Sequence, residues 1–327
     1  MTPKRQSHHR IHAARVRPDE LVQCVRRAYR LVALDTEATL RLPYRPPYDW
    51  EHMLRFLARR AVEGVECVTA GAYARAVRTA AGGAVLQVRP VAGVDALELR
   101  IRGAGSFDLS PLCTRIQRMF DLSADPARIT AALQRDPQLG ALVRRRPGLR
   151  IPGTWDAFES GVRAIVGQQI SVAAGRTLLT RLAQRAGERL WHEAPGPTHL
   201  FPTPESLARC NLKDFGVPRA RASALQGFAR AVRDGVVAFD DSRERVMRAL
   251  TGLPGVGPWT AGYVALRGLS DADGFPAGDL ILRQQASSRG GALTARELNA
   301  RAESWRPFRG YAVVQLWEAH ATSAAAG

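Results

Sequence analysis

Asp279 lies twenty residues beyond Trp259, and Trp259 closes the stretch Leu253-Pro254-Gly255-Val256-Gly257-Pro258-Trp259. Two glycines and two prolines at that spacing predict a tight turn, with a helix starting at Pro258, which has no N–H to leave unpaired. The N–H groups of Gly255, Gly257 and Thr260 around such a turn can hold a phosphate without reading a base. The carboxylate downstream adds chemistry, because an ionised aspartate stabilises an oxocarbenium-like sugar cation. The plainer reading of Asp279 is a helix N-cap. The two readings are compatible, since a helix N-terminus favours the charged form.

Four aromatic residues and a glutamine pair are the next candidates. Trp259 and Tyr263 are four apart and share one helix face. Trp317 falls on the last helix, and Phe56 on a helix in the β-rich part of the chain. Such residues are ordinarily core; the alternative is a pocket that stacks an extruded base. Electron-rich rings favour cations, and a purine alkylated at N3 or N7 is a cation. Gln168 and Gln169 stand between two helices in Val166-Gly167-Gln168-Gln169-Ile170-Ser171. They are either exposed loop residues or fill the gap left by an extruded nucleotide.

Charge points the same way. The chain has 327 residues, a net charge of +17, and arginine in place of almost every lysine; Lys4 and Lys213 are the only two. Such a basic excess fits a nucleic-acid partner, against the plainer reading of arginine-rich codon usage. Cys24, Cys67, Cys113 and Cys210 are scattered with no C-x-x-C pair, so neither a zinc nor an iron–sulfur site is expected. Scattered cysteines without a signal peptide fit a reducing cytoplasm, and no apolar run is long enough for a membrane span.

The elements that must position these residues fall into three stretches. Residues 1–37 form a basic tail with a short helical pattern over Glu20–Leu34. Residues 38–124 read as a small α+β unit with an antiparallel sheet. Its strands are Thr39–Leu42, Ala84–Val88 and Ala96–Ile101, interrupted by a helix at Trp50–Val62. Residues 125–327 read as a compact set of short helices. Among them are Ala157–Val166, Ala173–Ala186, Arg219–Asp234, Arg243–Leu250, Pro258–Leu269, Asp279–Arg283 and Arg309–Ala319.

The hairpin stretch resembles a helix–hairpin–helix, and with Asp279 it is similar to the helix–hairpin–helix–GPD superfamily of DNA glycosylases, AlkA-type branch. Tyr44-Arg45-Pro46-Pro47-Tyr48-Asp49-Trp50, Phe56 through Glu66, Arg146–Arg150, Phe158 through Gln168, and Trp305–Tyr311 carry the likeness over residues 38–320. The resemblance implies a TATA-binding-protein-like N-terminal subdomain and two helical subdomains with the active site between them. It makes Asp279 catalytic and Trp259, Tyr263, Trp317 and Phe56 the base pocket. It implies backbone carbonyls of Thr251, Leu253 and Val256 around a monovalent cation, with no other cofactor. Bifunctional relatives carry lysine at the position of Trp259, so hydrolysis without a lyase step is expected. The expected substrate is double-stranded DNA with alkylated bases, acted on by a monomer. Deaminated or oxidised bases, or a noncatalytic DNA clamp, stay open as alternatives. Gln169 stands where a relative has a leucine wedge, and Gly278 where it has aspartate. Residues 1–37 resemble the end of an AraC-type regulatory module.

Overall fold

The computed structural model describes residues 36–103, 108–190, 195–287 and 291–326. The expected basic tail, with its helix, therefore lies outside the described residues up to residue 35, whereas Thr36 and Glu37, assigned to it from the sequence, belong to the first strand. Five antiparallel strands come first: β1 (Thr36–Pro43), β2 (Glu66–Thr69), β3 (Ala72–Thr79), β4 (Gly82–Pro90) and β5 (Ala96–Gly103). Their order in the sheet is β1-β5-β4-β3-β2, with Leu40 opposite Leu99, Leu99 opposite Val88, and Val88 opposite Tyr73. Ala70 and Gly71 join β2 to β3 with φ of 43° and 79°. Two left-handed residues make the reverse turn that suits the twist of a two-residue hairpin.

Helices α1 (Trp50–Arg60) and α2 (Leu109–Met119) cover the sheet. Met53, Leu57, Leu112 and Ile116 pack with Tyr73, Leu86, Leu97, Leu99 and Ile101 in one core. Asp49 and Asp108 cap these helices by accepting from His52 N and Ser110 N.

β3 escapes a period-two reading for a physical reason. β3 is buried on both faces, because Ala76 packs on Leu190 and Leu200 and Arg75 points into the helical domain. A strand covered on both sides loses the alternation that marks a half-buried one.

The remaining helices form two halves. The first contains α5 (Ala157–Gly167), α6 (Val172–Ala186), α7 (Pro204–Arg209), α8 (Arg219–Arg233) and α9 (Arg243–Thr251), around Val162, Ile165, Leu182, Leu225, Phe228 and Leu250. The second joins α3 (Pro126–Leu133) and α4 (Pro137–Arg145) to α11 (Leu280–Gln285), α12 (Ala295–Ala302) and α13 (Arg309–Ala326), around Leu133, Leu139, Leu282, Trp305 and Val313. Helix α10 (Pro258–Gly268) belongs to both: Ala261 and Val264 face the first core and Leu266 the second. No helix among the described residues is long and apolar enough to cross a membrane.

A buried ion network locks the sheet to α5. Arg75 Nη2 donates to Glu159 Oε2 at 2.8 Å, with both side chains almost wholly buried. Arg163 bonds Glu159 at 2.7 Å and also Glu66, which takes the Tyr73 hydroxyl at 2.5 Å. Burial would raise the Glu159 carboxyl, but Arg75 and Arg163 outweigh it and pull its pKa down to about 2. Buried charges are tolerated only when paired and hydrogen-bonded in this way.

Candidate active site

Helix α10 presents a row spaced by four: Trp259, Tyr263 and Arg267. The ring centroids of Trp259 and Tyr263 are 5.6 Å apart. Tyr263 lies 6.3 Å from Trp317 of α13, and Trp317 stacks at 6.3 Å on Phe56 of α1. The four aromatics foreseen from the sequence thus form one continuous cluster, drawn from three elements far apart in the chain.

Asp279 meets the first ring of that cluster. Its Oδ1 accepts Leu282 N–H at 3.0 Å, capping α11, and its Oδ2 accepts Trp259 Nε1–H at 3.3 Å. Capping and facing the cluster are therefore one arrangement. The segment leading to Asp279 is drawn tight against α10: a Cβ on Gly262 would lie 2.8 Å from Phe275 O. Only glycine admits that approach.

Arg267 ends the row and was not foreseen. It is 2% exposed, and its guanidinium donates to Pro152 O at 2.6 Å, Gly153 O at 3.1 Å and the Tyr263 hydroxyl at 2.5 Å. Arg60 also reaches the cluster, with its guanidinium carbon 3.7 Å from the Phe56 centroid. Burial pushes Arg60 down to about 10. Burial alone would raise the Tyr263 phenol; Arg267 and Arg60 outweigh it and hold the phenol below its ordinary value. The signal for Arg267 was its position four residues after Tyr263, and that for Arg60 its position four after Phe56.

The hairpin turn follows α9. Gly255 adopts φ of +80°, and a Cβ there would fall 2.6 Å from Ala224 Cβ, so both conformation and space require glycine. Gly255 and Gly257 are exposed, leaving their backbone available to a phosphate. Thr251, Leu253 and Val256 bracket the turn, and the Leu253 carbonyl accepts Val256 N–H at 3.1 Å. Among the described residues, no group of three His, Cys, Asp or Glu is gathered that could hold a metal ion.

Gln168 and Thr260 have a task that the sequence did not show. Gln168 Nε2 donates to Gly255 O and to Thr260 Oγ1, each at 3.0 Å, and Thr260 is 2% exposed. A buried hydroxyl needs such a partner. Both side chains therefore tie the loop to the hairpin, and Arg221 Nη2 braces it further by donating to Gln168 O at 2.6 Å. Gln169, the next residue, is exposed with φ of +56°, so the braced loop presents it outward.

A cavity of about 1180 Å³ lies elsewhere, lined by Arg75, Trp155, Phe239 and Asp271 among others. It holds neither Asp279 nor any ring of the cluster.

The antiparallel sheet, the two helical halves and the hairpin leading into an aromatic row define the helix–hairpin–helix glycosylase class of fold. Comparison with known proteins narrows it. Residues 39–156 match the AlkA N-terminal domain. DNA-3-methyladenine glycosylase 2 of Escherichia coli is 40% identical over 283 residues, covering 84% of this chain and 95% of that protein. The chain belongs to this AlkA-type family.

A Mycobacterium tuberculosis protein described as "Probable bifunctional transcriptional activator/DNA repair enzyme AlkA" is 38% identical over 281 residues. The match covers 85% of this chain but only 56% of that relative. The solved structure of a 3-methyladenine DNA-glycosylase from Archaeoglobus fulgidus superposes with a TM-score of 0.74 at 21% identity. It covers 85% of this chain and 97% of that one, and shows the fold.

Proposed function

We propose that the protein hydrolyses the N-glycosidic bond of alkylated bases, such as 3-methyladenine and 7-methylguanine, in double-stranded DNA. The observation that carries this reading is the Asp279 carboxylate, held between Leu282 N–H and Trp259 Nε1–H at the mouth of the aromatic cluster. The hairpin backbone at Gly255 and Gly257 grips the phosphates. The backbone carbonyls of Thr251, Leu253 and Val256 would hold a monovalent cation, which would supply positive charge to a phosphate there. The nucleotide is extruded and Gln169 enters the space it leaves.

The base departs with the electron pair of its glycosidic bond. Alkylation makes it a neutral leaving group, so little general-acid help is needed. The positive charge left on the sugar is met by Asp279. Water then adds to the anomeric carbon and its proton passes to Asp279 or to solvent. No lysine ε-amine stands at Trp259, so the product is an intact abasic site without strand cleavage. A monomer suffices, since every group named comes from one chain. Chromosomal DNA as substrate places the work in the bacterial cytoplasm.

The test is incubation with alkylated duplex DNA, followed by chromatography of the released bases. Release of 3-methyladenine with the strand left alkali-labile but uncut supports the reading. Tight DNA binding without base release would make the protein a clamp, and release of deaminated or oxidised bases alone would move the substrate class.

A further inference from the structure

The aromatic cluster is surrounded by positive charge, an awkward setting for a cationic base. Arg60 sits 3.7 Å from the Phe56 centroid, and Arg267 sits 4.8 Å from the same ring and 5.4 Å from Tyr263. Phe56 and Tyr263 thus already serve the protein's own guanidiniums. Trp259 and Trp317 are the rings of the cluster left for a substrate cation, and like charges repel it from the arginines.

Two carboxylates stand at the two ends of the cluster. Asp279 touches Trp259, and its charge is committed to the sugar. Glu318 follows Trp317 on α13, with its side chain 14% exposed. Its oxygens take His52 Nε2 at 3.5 Å, Arg55 Nη2 at 3.3 Å and Arg146 Nη1. Arg146 is shared with Asp49, at 3.0 Å.

His52 is buried one helical turn before Phe56, their ring centroids 6.1 Å apart. Burial drives its pKa down to about 4 against the pull of Glu318 and Asp49, so the ring is neutral and adds no charge. Its Nδ1 has no hydrogen-bond partner among the described residues. His52, Arg59, Arg60, Trp317 and Glu318 help line a cavity of about 40 Å³, enough for water and too small for a base.

We infer that Glu318 is a specificity-determining residue: seated beside Trp317 among His52, Arg55 and Arg146, its carboxylate offsets the surrounding guanidiniums so that a positively charged base can stack there. The inference rests on the reading of the protein as a glycosylase for alkylated bases. Glu318 acts through its field and not by touching the base. Removing its charge leaves Arg55 only the exposed Glu51, at 3.7 Å, and Arg146 only Asp49, at 3.0 Å, so the pocket becomes more hostile to a cation than to a neutral base.

The experiment is single-turnover excision from one duplex sequence. It carries either 7-methylguanine, a cation, or a neutral lesion, hypoxanthine or 1,N6-ethenoadenine, whichever wild type releases faster. Glu318→Gln should slow 7-methylguanine release roughly tenfold more than neutral-base release. Glu318→Asp should keep the wild-type ratio.

Arg59→Gln guards against a misfolded Glu318 variant, since Arg59 is exposed on the same cavity and its loss removes a positive charge. It should speed 7-methylguanine release about twofold to threefold. Opposite signs for Glu318→Gln and Arg59→Gln on 7-methylguanine support the inference. Equal slowing of both substrates by Glu318→Gln, or slowing of 7-methylguanine by Arg59→Gln, would overturn it and leave Glu318 a structural clasp. A wild type that releases no alkylated base at all would instead sink the proposed function.

Discussion

Glu159 and Asp279 are both carboxylates on the helical domain, yet they are treated in opposite ways. Glu159 is sealed on α5 where that helix meets the sheet, and two guanidiniums saturate it. Asp279 is half-buried and held by an amide N–H and an indole N–H, both neutral donors. Pairing with arginine spends a charge on the fold. Neutral donors fix a carboxylate in place while leaving its charge for a cation that arrives later. The difference separates a structural acid from one suited to chemistry.

Breaking the structural side should have the largest effect. Glu159→Ala leaves Arg75 and Arg163 buried without their acceptor and should cost about 3–5 kcal/mol of folding stability. Denaturant titration would measure this, and a cost under about 1 kcal/mol would remove the network from the account of stability.

On the other side, Asp279→Asn keeps an oxygen for Leu282 N–H but loses the charge. Base excision should fall by about 100-fold to 1000-fold in single-turnover assays, with the melting temperature nearly unchanged. Normal release of 3-methyladenine by this variant would end the catalytic assignment.

Trp259→Ala tests the contact between the two halves of the site. It removes both a stacking face and a donor to Asp279. Excision should drop by about tenfold to 100-fold, while affinity for undamaged duplex stays within about twofold.

The smallest effect concerns acid. The folded-state pKa of Glu159, about 2, lies below its ordinary 4.5, so its contribution to stability is complete above about pH 4.5 and is lost as pH falls toward 2. The stability of Glu159→Gln should therefore fall less steeply than that of wild type across that window, as read by thermal melts at each pH. Parallel curves would show that the pairing is not what depresses the carboxyl.

Much of the site was legible because its parts lie in short, strongly patterned segments. Pro258 and the two glycines mark the hairpin, Trp259 and Tyr263 mark a face, and Gly278-Asp279 marks a helix start. The core helices were equally readable from their spacing, as α5 and α8 show by ending within one residue of expectation. β3 was not readable, because Arg75 and Ala76, on opposite faces of the strand, are both buried, so neither face looks polar. The helix α2 inside the β-rich stretch was also missed. Arg60 and Arg267 escaped notice because an arginine in an arginine-rich chain carries no mark of burial.

The sequence by itself determined the hairpin, the antiparallel sheet followed by helices, and the list of rings and carboxylate to watch. These follow from local rules: turn residues, period and capping act over a few residues. Only the tertiary structure decided that Phe56 and Trp317, 261 positions apart in the numbering, would stack. It also decided that Gln168 would turn inward to Gly255 and Thr260, and that Glu159 and Glu318 would be surrounded by arginines where Asp279 is not. Such choices depend on which groups lose water together, and that is set by packing between distant segments.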